Sequence, residues 1–375
     1  MVIHPHLRYW LAALFIPEAG PRTVLKWLAH FADIEKLFTA SILELQAAGV
    51  ASRYHDAIFH PCWSLIDREL ALAAEQQVTI LCLTDERYPK LLKEISDPPL
   101  VLYVRGNQSA LWQQQLAMVG SRNATPAGIA NAENFALALA KAGLAITSGL
   151  ALGVDAACHR GALTAGGITI AVMGTGLNHI YPASNRKLAE AIITEAGAII
   201  SEFPFDTGPK AQNFPRRNRI IGGLSQGVLV VEAALKSGSL ITARHALEQG
   251  RDVFAIPGSI HNPVARGCHY LIQQGAKLVT SAQDILEELQ MLPTVAAEPK
   301  KSPNGEPPQN HPHSLLKQID YEMTATDTII LRSGLTAGEV SSILLALELQ
   351  GHIQAVIGGY VRTVKTGKGQ VITHV

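Results

Sequence analysis

The sequence predicts an α/β protein: an extended Rossmann-like, doubly wound parallel sheet, flanked by an N-terminal helical domain and a C-terminal winged helix. Three observations carry this. Apolar runs recur from about residue 78 to residue 280, among them "VTILCL", "LVLYV", "LAMVG", "LAITSG", "ITIAVMG", "AIISE", "GVLVVEA", "DVFAIPG" and "KLVTS". Unbroken Val, Ile and Leu runs suit strands covered on both faces. Amphipathic stretches such as "NAENFALALAKAG" lie between several of them, and helical crossovers imply parallel pairing. Outside this region the texture changes to helical spacing on both sides.

Residues 1–76 read as helices, with apolar positions at Leu7, Trp10, Leu11 and Leu14, then Val24, Leu25, Leu28 and Phe31. The turn "IPEAGPRT" holds Gly20 and Pro21, and "LQAAGV" offers a second glycine turn. This fits a SAM-like or helix-hairpin-helix module, whose turn amides can contact phosphates; a plain helical bundle explains the same spacing. The Rossmann-like domain spans residues 77–292. Residues 293–314 are rich in Pro, Asn and charge and read as a flexible linker. Residues 315–375 read helix, turn, helix and a hairpin turning at Gly358-Gly359, the order of a winged helix. Its second helix, from Thr336 to Gln350, carries Glu339 and Glu348 but no Lys or Arg. Reading the major groove calls for Arg, Lys, Asn or Gln on that face, so a protein-interaction or regulatory role fits better than duplex reading.

At 375 residues the chain is too long for one ordinary core. Lys and Arg total 31 and Asp and Glu total 31, which argues against coating nucleic acid by bulk charge and leaves room for a local basic groove. Cys62, Cys82, Cys158 and Cys268 are scattered, with no C-x-x-C pair. Neither a disulfide framework nor a zinc site is suggested. A signal-peptide pattern is lacking at the start, and no apolar stretch is long enough to span a bilayer. A cytoplasmic protein with no membrane span is expected.

In parallel α/β sheets ligands gather outside the carboxyl ends of the strands. There the sequence places Gly120-Ser121-Arg122, then "SGLALGVDAACHRGAL", "GTGLNHIYPASNRKL", "SEFPFDTGPKAQNFPRRNRII", "EAALKSGSLITARHAL" and "PGSIHNP". Glycines let a backbone come close to a ligand, and free amides at a helix start attract anions. Positive charge is local: no Asp or Glu occurs from Thr207 through Val231, which holds Lys210, Arg216, Arg217 and Arg219. Lys236, Arg244 and His245 follow, and Arg122, Arg186 and Lys187 precede. Aromatic neighbours are Tyr181, Phe203, Phe205 and Phe214. Cations interleaved with aromatics suit single-stranded nucleic acid. Each item also has a plain structural reading. The three phenylalanines fit a core, and Arg217 and Arg219 could pair with Glu202 or Glu232.

Catalytic signatures are missing. Cys158 and His159 are adjacent, so on a helix they diverge by about 100°. Asp155 and His159 lie one turn apart and could hydrogen-bond structurally. H-E-x-x-H, a P-loop and a complete G-x-G-x-x-G are all absent. No catalytic residue, metal or cofactor is expected, and the chain reads as a non-enzyme.

The ordered set "VGSRNAT", "TSGLALGVDAACHRGAL", "VMGTGLNHIYPASNRKL", "SEFPFDTGPKAQNFPRRNRIIGGLS", "VVEAALKSGSLITARHALEQGRDVFAIPGSI" and "GCHYLIQQGAKLV" resembles the DNA-processing protein A family, DprA/Smf. It covers the whole Rossmann-like domain, and the flanking units fit the same architecture. The resemblance implies a recombination mediator that binds and protects incoming single-stranded DNA and loads RecA onto it in natural transformation. It implies a homodimer through the Rossmann-like domain and no nucleotide or metal. Arg122 is then the first phosphate contact, with Gly120 and Ser121 beside it. Arg217, Asn218 and Arg219 come next, with Ser237, Gly238 and Ser239 supplying small groups and amides, and Lys187 also near. Ala183 stands where a basic residue would be reasonable. The dimer surface falls from His261 to Leu278, with the RecA contact close by. The alternative is a nucleotide-binding enzyme of the LOG, lysine-decarboxylase-like superfamily, whose expected P-G-G-x-G-T run is missing from "IPGSIHNP".

Overall fold

The computed structural model describes residues 4–291 and 315–363. The linker expected at 293–314 lies outside the described residues, as does the end of the winged-helix unit beyond residue 363.

Six helices come first: α1 (Leu7–Leu14), α2 (Pro21–Leu28), α3 (Ile34–Thr39), α4 (Ile42–Ala47), α5 (His55–Phe59) and α6 (Trp63–Glu75). Their starts follow local rules. Asp33 accepts from the Lys36 amide to cap α3, and Ser41 and Glu44 form a reciprocal capping box on α4. Leu11, Val24, Leu37, Leu45 and Ile58 are fully buried among them, and Trp27 meets Tyr54 edge-on at 4.9 Å.

The central sheet has nine strands: β1 (Val78–Cys82), β2 (Val101–Gly106), β3 (Gln115–Val119), β4 (Ala145–Ser148), β5 (Thr169–Val172), β6 (Ala198–Ser201), β7 (Gly227–Val230), β8 (Asp252–Ala255) and β9 (Lys277–Leu278). Their spatial order is β1-β2-β6-β5-β4-β3-β7-β8-β9. The seven strands from β6 to β9 pair in parallel. The first two depart from the expected parallel pattern: β1 runs antiparallel to β2, and β2 antiparallel to β6. Between β1 and β2 the only helix is α7, Lys90–Lys93, too short to cross a sheet face as a parallel connection requires.

Seven longer helices cover the sheet: α8 (Pro126–Lys141), α9 (Val154–Thr164), α10 (Arg186–Thr194), α11 (Asn213–Leu224), α12 (Gly238–Glu248), α13 (Arg266–Gln273) and α14 (Ala282–Glu288). β3, β4, β5, β6 and β7 are buried along their whole length, which is why they read as continuous apolar runs.

The last unit has α15 (Thr326–Ser333), α16 (Ala337–Leu349) and the hairpin β10 (Ile353–Val356) and β11 (Gly359–Arg362). The hairpin turns at Ile357-Gly358, one residue earlier than the glycine pair suggests. Gly358 takes the left-handed φ of +96°, and Gly359 opens β11 against the Thr324 backbone. Val340, Leu344 and Leu347 of α16 face the small core, while Leu345 and Leu349 are exposed. Among the described residues no single helix is long and apolar enough to cross a membrane.

Candidate functional site

Strand order fixes where a ligand can sit. From β3 the chain steps outward through β4, β5 and β6, then returns to pair β7 on the other side of β3. Loops leaving β3 and β7 diverge at this switch point and leave a crevice. A cleft of about 790 Å³ lies there. The β3 loop contributes Gly120, Ser121, Arg122 and Asn123 to its lining, α11 contributes Phe214, Arg217 and Asn218, and the β7 loop contributes Lys236, Ser237, Gly238 and Ser239. Tyr181 lines it from the loop before α10.

One wall is cationic and aromatic. Arg122 is exposed, with its guanidinium carbon 5.6 Å from the Phe214 ring centre. Phe214 in turn lies 5.5 Å from Tyr181, the planes tilted by 47°. Such an arrangement offers a charge for a phosphate and a π-face for a base. A smaller recess beneath Arg122 is lined by Leu152, Tyr181, Pro182 and Phe214.

The opposite wall is the start of α12. Ser237 caps it by accepting from the Ser239 amide at 3.2 Å, and the Ser239 hydroxyl donates to the Gly120 carbonyl at 2.8 Å. Asn218 donates to the Gly238 carbonyl at 3.3 Å. The β3 loop, α11 and α12 are thus tied together around the opening. The positive end of the α12 dipole adds to Lys236 and Arg122 there. Gly238 has open space where a Cβ would be, whereas a Cβ at Gly120 would meet the Val154 side chain at 2.5–2.9 Å. Gly120 is therefore required for the close approach of α9, and the approach of a ligand is not what demands it.

Under the cleft lies a buried charge system. Arg217 is 4 % exposed and donates to the Gly149 carbonyl at 2.7 Å, to the Val172 carbonyl and, through Nε, to Asn218 at 3.2 Å. Burial lowers its pKa to about 10, offset by Asp155, so it stays charged at neutral pH. The Asp155 carboxyl accepts from the Gly149 and Ala151 amides at 3.1 and 3.4 Å. Burial pushes its pKa up, against the pull of Arg217 and those amides.

The residues singled out from the sequence separate into groups. Gly120, Ser121, Arg122, Asn218, Ser237, Gly238 and Ser239 all line the cleft. Arg217 lines it too, as a buried floor residue whose hydrogen bonds go to main-chain carbonyls and Asn218. Arg219 is not there: two helix positions further round, it is 4 % exposed and pairs with Glu202 at 2.6 Å and Asp97 at 3.0 Å. Lys187 is exposed on α10 and is not among the lining residues. Phe203 and Phe205 are core residues, while Phe214 is half-buried and faces the cleft. Asp155 and His159 do not meet: His159 Nδ1 pairs with the Thr169 hydroxyl at 2.7 Å.

His159 is fully buried, and desolvation, with Arg217 and Arg160 adding to it, lowers its pKa to about 3. Its folded pKa lies below its unfolded value, so unfolding takes up a proton. This contribution to stability is complete above about pH 6.5 and declines as pH falls toward 3. Denaturant titrations from pH 7 to 4 are expected to show a slope that His159→Gln reduces.

Comparison with known proteins agrees with this architecture. The family described as DNA recombination-mediator protein A matches residues 79–290, and the DprA winged helix domain matches residues 299–359. Protein Smf of Escherichia coli is 43 % identical over 357 residues, covering 94 % of this chain and 95 % of its own length. DNA processing protein DprA of Streptococcus pneumoniae is 44 % identical, over 71 % of this chain and 93 % of its own. The crystal structure of DNA processing protein A from S. pneumoniae covers 77 % of this chain and 99 % of its own, with 38 % identity and a TM-score of 0.66. A structure of DNA processing protein A from Helicobacter pylori, described for its unique single-stranded DNA binding mode, covers 57 % of this chain and 96 % of its own, with 33 % identity and a TM-score of 0.52. With a matching domain over more than half its length and a relative aligned nearly end to end, the chain belongs to the DprA/Smf family of DNA recombination mediators.

Proposed function

We propose that this protein binds single-stranded DNA in the switch-point cleft and acts in the cytoplasm as a recombination mediator, without catalysing a reaction of its own. The observation that carries the reading is the Arg122–Phe214–Tyr181 wall facing the amide-rich start of α12 above the buried Arg217. A phosphate fits between Arg122 and the α12 amides, and an unstacked base fits against the aromatic pair. A duplex keeps its bases stacked inside and cannot use that face. The single-stranded DNA named for the H. pylori relative supports the same choice.

Delivery of the strand to RecA in natural transformation, by a homodimer, is the fuller form of the proposal. Its support is a set of exposed apolar side chains in and next to the stretch from His261 to Leu278: Tyr270 and Leu278 are 43 % and 47 % exposed, and Ile260, just before it, is 73 % exposed. A groove between α12 and α13, walled by Leu235, Ile241, Leu247 and Tyr270, continues it. Pairing two protomers would double a small number of phosphate contacts on one strand.

Fluorescence anisotropy of labelled oligonucleotides tests the core of this. Single strands are expected to bind more tightly than the matching duplex, with affinity falling as salt rises. Equal affinity for both forms, or no binding, refutes it.

A further inference from the structure

We propose that the N-terminal helical domain sets the aromatic wall of the cleft: Glu69 and Arg68 of α6 are positioning residues that hold Tyr181 and Phe214 where a base can stack, without touching DNA themselves. Both aromatics depend on irregular chain. Residues 173–182 carry Tyr181, residues 202–212 run directly into α11 and Phe214, and neither stretch forms a helix or strand. Such segments owe their place to the contacts they make along the way. The two are bound to each other. The Asn178 amide donates to the Phe205 carbonyl at 3.2 Å, the Gly176 amide to the Thr207 carbonyl at 2.8 Å, and the Asn178 side chain to Asp206 Oδ1 at 2.8 Å. The Phe214 ring lies on the first stretch, so close that a Cβ at Gly174 would meet it at 2.8 Å. Tyr181 and Phe214 are therefore carried by one body of loop.

α6 grips that body at three places. Glu69 Oε2 accepts from the Phe205 amide at 3.2 Å, and Arg68 donates to Asp206 Oδ2 at 2.7 Å. Gln76, at the end of α6, accepts from Arg105, whose other terminal nitrogen donates to the Leu177 carbonyl at 3.2 Å. Positions 69 and 76 share one helix face, seven residues apart. None of the three α6 residues lines the cleft. Glu69 is the unusual member: it is 3 % exposed, at a junction where the Tyr103 and Phe205 rings meet edge-on at 5.2 Å. Burying a carboxylate costs far more than burying a leucine of similar size. What the carboxylate supplies is direction. An apolar side chain packs against Phe205 in many ways, whereas Glu69 fixes where the Phe205 amide lies and keeps that buried donor paired. Arg68 and Asp206 are both exposed, so their ion pair adds little to stability; its effect is to tie Asp206, and through it Asn178, to α6.

The bearing on DNA rests on the proposed single-strand role; the placement of Tyr181 is measured without DNA. The test uses the full chain labelled with 3-fluorotyrosine, with the Tyr181 fluorine resonance identified by its loss in Tyr181→Phe. Glu69→Ala removes the buried anchor. Arg68→Ala removes the exposed one and leaves the fold intact. Glu69→Gln keeps an oxygen that accepts from the Phe205 amide. Glu69→Ala and Arg68→Ala are expected to shift or broaden the Tyr181 resonance, and Glu69→Gln to restore it. Affinity for labelled oligothymidylate is expected to fall roughly three- to ten-fold in Glu69→Ala, part of what stacking one base is worth, and to recover in Glu69→Gln. Its salt dependence should stay the same, because the phosphate contacts remain. An unmoved Tyr181 resonance in both alanine variants overturns the positioning role. A moved resonance with unchanged affinity overturns its bearing on DNA, and a salt dependence that falls with the affinity overturns the aromatic wall as what α6 sets. If the unsubstituted protein binds no oligonucleotide, the functional reading fails, and the Tyr181 resonance still decides the positioning.

Discussion

Replacing Arg219 with alanine is expected to destabilise the fold by about 3–5 kcal/mol, the cost of leaving a buried partner charge unpaired. Its partner Glu202 is 3 % exposed and would keep only Arg216, at 3.6 Å and half exposed. Asp97 would lose the same guanidinium. Protein that remains folded at low temperature is expected to bind single-stranded DNA normally, because Arg219 does not line the cleft. Denaturant midpoints and anisotropy on the same sample check both halves. A loss of DNA affinity with no loss of stability would place Arg219 on the DNA after all.

Arg122→Ala has the opposite signature. Arg122 is exposed on a loop, and its recorded contact is the Phe214 ring. Stability should change little. Single-strand affinity should fall by about 1–3 kcal/mol, roughly five- to 150-fold, and the salt slope should become shallower by about one ion. Anisotropy across a salt series reads both numbers. If binding and slope stay at their unsubstituted values, the cleft is not the DNA site.

Arg219 lies 3 positions and Arg122 lies 94 positions from Arg216, yet the sequence presents all three as basic residues near strand ends. The parallel strands were legible because burial on both faces writes itself as a Val/Ile/Leu run, as in "LAMVG" and "GVLVV". The loop residues Gly120, Ser121 and Arg122 were legible because strand ends mark the ligand side of such sheets. What the sequence could not separate was side-chain direction on α11. Arg217 points under the cleft and Arg219 points away from it, and "RRNR" carries no mark of which is which. The deciding partners, Gly149, Val172, Glu202 and Asp97, are remote in sequence. Phe214 is the converse case: an aromatic that composition assigns to a core became a wall because its neighbour Tyr181 arrives from a different loop. The antiparallel β1 and β2 were missed for a similar reason, since an apolar run records burial and not direction.

The placement of β3 also has a consequence for synthesis. β3 is the middle one of the seven parallel strands, and its second neighbour, β7, follows about 110 residues later, pairing Leu116 with Gly227. On the ribosome, at roughly 5–20 residues per second, that interval lasts on the order of 5–20 s. Throughout it the nascent chain carries an apolar strand with one row of amides and carbonyls open, an invitation to mispairing between neighbouring chains on one message. Translation speed across the stretch from α8 to α11, and the supply of chaperones during it, therefore bear on how much of this protein a cell obtains in folded form.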